Sequence, residues 1–249
     1  MKRLVILGGG ESGVGTALLG KVKLTTGDYT GAETALKAVL DNADYALLDN
    51  YNDVFYNEMN SEIIFAIAYL NDNTDESQDY SFEMTSGGVV SGLNYLTDDF
   101  KQFALDSAGT ERAAVFVNPA DANEVGKFLT NSSDVRLCGN DWIVLRLADV
   151  HLMYAEAKMA GGTSTTDPDA IASYNAVRER AGMWLLAQGG LSKESLLDER
   201  RAELAFENQR LYDLIRFGKY NDAWWKKEVD PSTDVNIFPK ENIFDAAAT

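Results

Sequence analysis

The chain has 249 residues, 45% hydrophobic and 24% charged, proportions that support a folded core and exclude low-complexity disorder as its main description. Against 22 lysines and arginines stand 39 aspartates and glutamates, a formal net charge of −17, so duplex DNA or RNA would be repelled rather than recruited. One cysteine, Cys138, excludes an intrachain disulfide and a cysteine-based metal cluster; one histidine, His151, excludes multi-histidine zinc sites and leaves a Ser-His-Asp triad a remote prospect.

No apolar run approaches the ~20 residues that span a bilayer. Residues 3–7 read as a buried strand, and Gly8, Gly10 and Gly13 then fit G-x-G-x-x-G, the spacing that lets a backbone approach a pyrophosphate. The stretch MKRLVILGGGESGVGTALLGK resembles the start of the UDP-N-acetylmuramoylalanine–D-glutamate ligases. A dinucleotide-binding unit next requires a second strand ending in an acidic residue ~20 positions on. Here LTTGDYTGAETALKAVL follows, which is helical, and no G-K-[ST] phosphate loop occurs anywhere. Residues 1–16 are therefore expected to be an atypical N-terminal segment, a ligase-like strand and glycine-rich loop without a nucleotide site. Leu4 to Leu7 imitate a signal peptide, but glycines and Glu11 interrupt the run short of the ~7–15 residues of a signal core. No cysteine follows as a lipid-attachment site, so the sequence as it stands carries no address.

Ala17 to Asn42 has the pattern of a helical hairpin. Ala17, Leu18, Val22 and Leu24 form one apolar stripe, Gly27-Asp28-Tyr29 the turn, and Ala32, Ala35, Leu36, Val39 and Leu40 the next stripe. The spacing resembles a tetratricopeptide unit, in which small residues let two helices approach closely. Glu62 to Tyr69, EIIFAIAY, reads as a strand. Residues 71–79 form a solvated acidic loop that is not a calcium loop, because Glu76 stands where the turn glycine belongs and Phe82 where the bidentate glutamate belongs. Residues 84–140 read as long loops with short helices.

A second, looser hairpin spans 145–181. Leu145, Ala148, Leu152, Ala155 and Met159 fall at steps of three and four, Gly161-Gly162 ends the helix, and Asp167-Pro168 starts the next, with Ile171, Tyr174 and Val177 inward. His151, in the first of these helices, is expected to be a satisfied core histidine. One long helix is expected over 192–217, with Ser192 as N-cap and an apolar seam of Leu197, Leu204, Leu211 and Leu214. Glu199, Glu203 and Glu207 lie four apart on another face, where like charges repel unless cations meet them. One reading is catalytic carboxylates, as in a glycosidase. The stronger reading is an arginine–carboxylate network that fixes helix packing, drawing on Arg200 and Arg210 locally or on Arg146, Arg178 and Arg180.

The segments LRLADVHLMYAEAKMAGG, YNAVRERAGM and LLDERRAELAFENQRLYDLIRFGK, in that order, resemble the C-terminal signature of the SusD/RagB family. Upstream, ALLGKVKLTTGDYTGAETALKAVL and the run ending EIIFAIAY fit the same family, as does FPKENI at 238–243. The resemblance covers about residues 17–243. It implies an all-α, SusD-like helical fold with tetratricopeptide-type hairpins and long loops over 17–249, truncated at its N-terminus or fused to the ligase-like segment. It further implies a non-enzymatic nutrient-binding lipoprotein of the outer-membrane surface of Gram-negative bacteria, capturing oligosaccharides for a SusC-like TonB-dependent transporter, although some relatives serve peptide uptake. Membrane association would run through a lipid anchor that this sequence lacks; no cofactor or metal is implied. A tetratricopeptide-like protein-interaction scaffold is the alternative that the hairpins alone permit, and a nucleotide-dependent ligase fragment the remote one.

Sugar binding uses aromatic faces against the apolar side of a pyranose, with amides and carboxylates for its hydroxyls. In the family the ligand side draws on loops after the strand that here is EIIFAIAY, so Tyr80, Phe82, Asn94 and Tyr95 are candidates. Trp184, just past the helix-ending Gly182, is another. Trp224 and Trp225 read as packing residues below the last helix. Core packing is the competing reading for every one of these rings.

Overall fold

The computed structural model describes residues 3–6, 10–85, 96–186 and 189–220. Strand β1 (Arg3–Ile6) leads to helix α1 (Gly10–Thr25), which packs on α2 (Tyr29–Leu40). Gly27 turns the chain at φ +82°, a conformation that favours glycine, and Asp28 caps α2 by accepting the N–H of Gly31 at 2.9 Å. The helices approach closely: a Cβ on Gly20 would stand 2.6 Å from Leu36 Cδ2. The inward stripe of α1 differs from the one expected. Val14, Ala17 and Leu24 are buried, whereas Leu18 and Val22 are 37% and 58% exposed. Glycines at 13 and 20 occupy the buried side, so the strongest hydrophobes do not mark it.

After a short helix, α3 (Asp53–Tyr56), strand β2 (Ile63–Ala68) forms the centre of a three-stranded antiparallel sheet. It pairs with β1 on one side, Val5 opposite Ala66, and with β5 (Trp142–Arg146) on the other, Ala66 opposite Ile143. Between β2 and β5 lie α4 (Tyr80–Met84), α5 (Asp98–Ser107), α6 (Thr110–Phe116) and a small hairpin of β3 (Val117–Asn118) and β4 (Asp121–Val125). A dinucleotide-binding unit needs parallel neighbours for its first strand, and β1 has an antiparallel one. Gly13 lies inside α1, where a Cβ would collide with the Tyr45 hydroxyl. That glycine serves packing. Helix α1 also runs unbroken across residues 16 and 17, joining the opening strand to the hairpin.

Helix α7 (Leu147–Ala157) follows β5 directly and is the spine of the fold, with every residue but His151 buried. One side meets Leu24, Leu36, Val39 and Ile64 through Val150, Met153 and Tyr154. The other meets Tyr174, Val177, Leu196, Leu197 and Leu214 through Ala148, Leu152 and Ala155. Its hairpin partner is α8 (Pro168–Arg180), started by Pro168 and capped by Asp167, which accepts the N–H groups of Asp169 and Ala170. A two-residue pairing of β6 (Ser164–Thr165) with β7 (Leu191–Ser192) closes this unit. His151 is not the satisfied core histidine expected: its Nδ1 is buried without a hydrogen-bond partner among the described residues. Burial, and secondarily the charge of Arg180, push its pKa down to about 4.

The expected helix over 192–217 is two helices, α9 (Lys193–Glu203) and α10 (Arg210–Arg216). Ser192 caps the first as expected, accepting the N–H of Ser195 at 3.0 Å. The chain then breaks at Phe206 (φ +66°) and Asn208 (φ +58°). The break redirects Leu211, which is 42% exposed instead of continuing the seam. Fold class is otherwise as expected, mostly helical with long loops and small sheets.

Candidate functional site

The surroundings of the three-glutamate stripe decide whether its carboxylates can be catalytic. Glu199 and Glu203 in the second half of α9, and Glu207 within the break, are all buried. Glu199 takes Arg112 Nη2 and Arg178 Nη1, both at 2.7 Å. Glu203 takes Arg146 Nη1 at 2.6 Å and Arg180 Nη2, and Arg112 Nη1 stands 3.4 Å from its other oxygen. Glu207 takes Arg146 through two bonds of 2.7 Å and Lys127 through another. Glu62, just before β2, completes the cluster with Arg146 Nη1 and Arg180 Nη1, each at 2.8 Å. Of the local arginines expected to contribute, Arg200 instead joins Asp149 and Asp213, and Arg210 Nη1 donates to the Leu197 carbonyl at 3.3 Å. Carboxylates so enclosed and neutralised act as structure, not as glycosidase groups. Arg112, Lys127 and Glu62 are members that periodicity could not reveal, since they come from loops and short elements far away in the chain.

A cleft of about 310 Å³, between the end of α3 and the loops at 71, 129–131 and 139–141, carries the polarity suited to a ligand. Asn71, Asn131, Asn140 and Asp141 line it, with Glu58 at its edge and Phe55 and Tyr56 as an aromatic wall. Four segments build it, 55–58, 71, 129–131 and 139–141, and the last three are tied together. Cys138 and Gln78 exchange two backbone hydrogen bonds of 2.9 and 3.0 Å. Asp72 Oδ1 gathers the Ser132 and Ser133 hydroxyls and the N–H groups of Ser133 and Asp134, the Ser133 bond foremost in holding this carboxyl down to about 2. Gly139 N–H donates to Asn71 Oδ1 at 2.6 Å, and a Cβ on Gly139 would collide with the Asn71 backbone nitrogen.

Within the cleft the polar groups are oriented. Asn71 Nδ2 donates to Asn131 Oδ1 at 2.6 Å, and Asn140 Nδ2 donates to the Leu129 carbonyl at 2.9 Å. Asp141 Oδ1 accepts the Tyr69 N–H at 3.0 Å, yet partial burial raises the carboxyl to about 6, with Glu58 adding to the effect. Tyr56 donates its hydroxyl proton to the Gly126 carbonyl at 2.6 Å and accepts the Leu129 N–H at 3.0 Å. Its hydroxyl is thus engaged while 36% of the residue remains exposed. Oriented amides, a carboxylate and a fixed ring are the groups that recognise a hydroxyl-rich ligand.

The residues expected to bind ligand are dispersed. Tyr80 lies under the cleft rather than in it: its hydroxyl spans the carbonyls of Asn140 and Asp141 at 2.8 and 2.9 Å, and its ring meets Phe128 and Trp142 edge-on. Phe82 is half-buried and covered by the Arg136 guanidinium, 4.3 Å from the ring centre. Trp184 is 91% exposed on a different face, beside α8. Asn94, Tyr95, Trp224 and Trp225 lie outside the described residues. The sequence did hold a signal for the cleft: Asn71 heads the acidic loop, and Gly139-Asn140-Asp141 is a glycine flanked by hydrogen-bonding side chains.

Residues 124–247 match the model of the SusD family. A SusD-like protein of Bacteroides ovatus is 25% identical over 228 residues, covering 78% of this chain and 41% of that protein. SusD-like protein P25 of Formosa agariphila is 28% identical over 238 residues, covering 72% and 44% respectively. Among solved structures, a laminarin-binding SusD-like protein superposes with a TM-score of 0.71 at 25% identity, over 90% of this chain and 57% of that one. The chain thus spans about half the length of the relatives it matches. Signature segments in order, the helical hairpins and these likenesses agree: residues 124–247 carry the SusD family's domain, and the chain is similar to SusD-like proteins over most of its length.

Proposed function

We propose that the chain is a non-enzymatic, cell-surface glycan-binding protein that captures neutral oligosaccharides and passes them to a TonB-dependent outer-membrane transporter. The observation that carries the reading is the cleft at Asn71, Asn131, Asn140 and Asp141, whose amides and carboxylate are fixed before any ligand arrives. The likeness to a laminarin-binding protein supports the ligand class. Burial and pairing of Glu199, Glu203 and Glu207 support capture without turnover, because these carboxylates cannot reach a glycosidic bond. The likeness to the SusD family supports the location and the transporter partnership.

Isothermal titration against laminarihexaose, cellohexaose and maltohexaose tests the reading. Binding in the micromolar to millimolar range, weakened by Asn131→Ala and without release of reducing sugar, is expected. Release of reducing sugar would overturn capture without turnover; binding indifferent to Asn131→Ala and Asp141→Asn would remove the cleft.

A further inference from the structure

Trp184 exposes 91% of its surface, although a tryptophan contributes most to stability when its large apolar face is covered. The backbone beneath it is tied to α8. Met183 N–H donates to the Arg178 carbonyl at 2.9 Å, and Arg178 Nε donates to the Trp184 carbonyl at 2.9 Å. Asn175 clamps the next turn from both ends, Nδ2 donating to the Leu186 carbonyl at 3.0 Å and Oδ1 accepting the Leu186 N–H at 2.8 Å. Arg178 is itself locked to Glu199 through Nη1. The indole is therefore presented from a rigid anchor, the condition under which an exposed ring binds at low entropic cost.

Beside this anchor opens a cavity of about 320 Å³ walled by Tyr174 and Met183 and edged by Asp106, Arg178, Ser195 and Asp198. A guanidinium donor, a hydroxyl and two carboxylate acceptors surround an apolar floor. That alternation suits adjacent ring hydroxyls, each of which donates one hydrogen bond and accepts others. Two carboxylates on the rim, Asp106 and Asp198, disfavour an anionic ligand. None of these residues lines the amide cleft.

We infer that Trp184 and the cavity lined by its neighbours Met183 and Arg178 form a second carbohydrate-binding surface, on which one ring of a neutral oligosaccharide stacks against the indole while Arg178, Asp106 and Asp198 hold hydroxyls of the same sugar chain. The ligand class rests on the glycan-binding function proposed above; the location does not. An oligosaccharide released from the cleft would still be retained here, and one long enough to reach both sites would be captured with avidity.

The test is oxidation of tryptophan by N-bromosuccinimide, read at residue 184 by peptide mass mapping, with and without laminarihexaose, cellohexaose or maltohexaose. Saturating sugar should slow oxidation of Trp184 in the unmodified chain and equally in Asn131→Ala. Trp184→Ala should weaken the residual binding of Asn131→Ala about three- to tenfold, with unchanged thermal unfolding as the control for folding. Sugar that binds and responds to Asn131→Ala, but leaves both Trp184 oxidation and Trp184→Ala affinity unchanged, overturns the second surface and spares the cleft. Protection of Trp184 with no effect of Asn131→Ala or Asp141→Asn supports the second surface and removes the cleft. Absence of binding by all three sugars overturns both.

Discussion

Arg146 and Glu207 meet through two hydrogen bonds of 2.7 Å, Nε to Oε2 and Nη2 to Oε1, although they belong to a strand end and to an interhelical turn 61 residues apart. The pairing depends on the helix break: Phe206 and Asn208, both at positive φ, turn the chain between α9 and α10 beside Glu207. Glu203 precedes the break and meets the same guanidinium at Nη1. One arginine thus joins the sheet to both sides of the turn, under the rings of Tyr51 and Phe55.

Removing one partner from such a group leaves a buried charge uncompensated, which costs about 3–5 kcal/mol. Arg146→Met and Glu203→Ala are expected to reach that range in urea unfolding. Arg178→Ala should cost less, since Arg178 is 18% exposed and its partner Glu199 keeps Arg112. Equal losses for Arg146→Met and Arg178→Ala would show that the network lacks the hierarchy its geometry implies.

The two glycines on opposite sides of α1 should respond with opposite signs. A Cβ at Gly15 meets nothing within 4 Å, so Gly15→Ala removes only the backbone freedom of glycine and should stabilise by about 0.5–1 kcal/mol. At Gly20 the same atom would stand 2.6–2.7 Å from Leu36 Cδ2 and Cγ, and overpacking there should destabilise by about 1–3 kcal/mol. Thermal unfolding of the two variants checks the helix contact directly: stabilisation by both would mean that α1 and α2 sit farther apart.

Local signals were legible in the sequence, and long-range coincidences were not. Gly27-Asp28 and Asp167-Pro168 carry their own turn and cap chemistry within three residues, and both open helices where expected. Leu197, Leu204 and Leu211 repeat at seven, a spacing that runs across the break and conceals it. Asn71 and Asn131 are 60 residues apart, and nothing in either neighbourhood announces the other. Tyr80 illustrates the same limit: a tyrosine in a loop-rich stretch suits stacking, but its position under Asn140 and Asp141 gives it a supporting task.

Asn208 tests the break itself. At φ +58° an asparagine is tolerated and a β-branched residue is not. Asn208→Gly should be nearly neutral, while Asn208→Val should cost about 1–2 kcal/mol in strain. Comparable stability of the two variants would indicate that the turn does not hold this conformation in solution.

Acid should erode stability over two pH ranges. The His151 pKa is depressed to about 4 from 6.5, so the native state binds fewer protons than the unfolded state between those values. Its contribution is complete above pH 6.5 and is lost as pH falls toward 4, to a total of at most about 3 kcal/mol. Burial pushes the Glu203 carboxyl up, but Arg180, Arg146 and Arg112 outweigh it and hold the group at about 2. Its contribution therefore disappears lower, as pH falls from about 4.5 toward 2. His151→Leu should flatten stability between pH 6.5 and 4 while leaving the steeper loss below it. A variant that keeps the upper slope would place its origin elsewhere.

Asp141 has the opposite sign, and this separates the binding cleft from the fold. Burial raises its carboxyl from 3.8 to about 6, so the native state holds this proton more tightly than the unfolded chain and loses stability as pH rises between those values. Above pH 6 the ionised carboxylate only accepts hydrogen bonds; below it, the protonated group can also donate one. Affinity for a neutral oligosaccharide in the cleft should therefore change between pH 5 and 7 with a midpoint near 6. Asp141→Asn presents an amide that does not titrate in this range, so it should remove that pH dependence while preserving one acceptor for the Tyr69 N–H. The same substitution should also remove the decline in stability attributed to this carboxyl. Calorimetric titration at pH 5, 6 and 7, paired with urea unfolding at the same values, measures both effects. Unchanged pH profiles of affinity in the native chain and in Asp141→Asn would take this carboxyl out of ligand contact, whereas a binding profile that flattens only in the variant assigns the titration to the cleft.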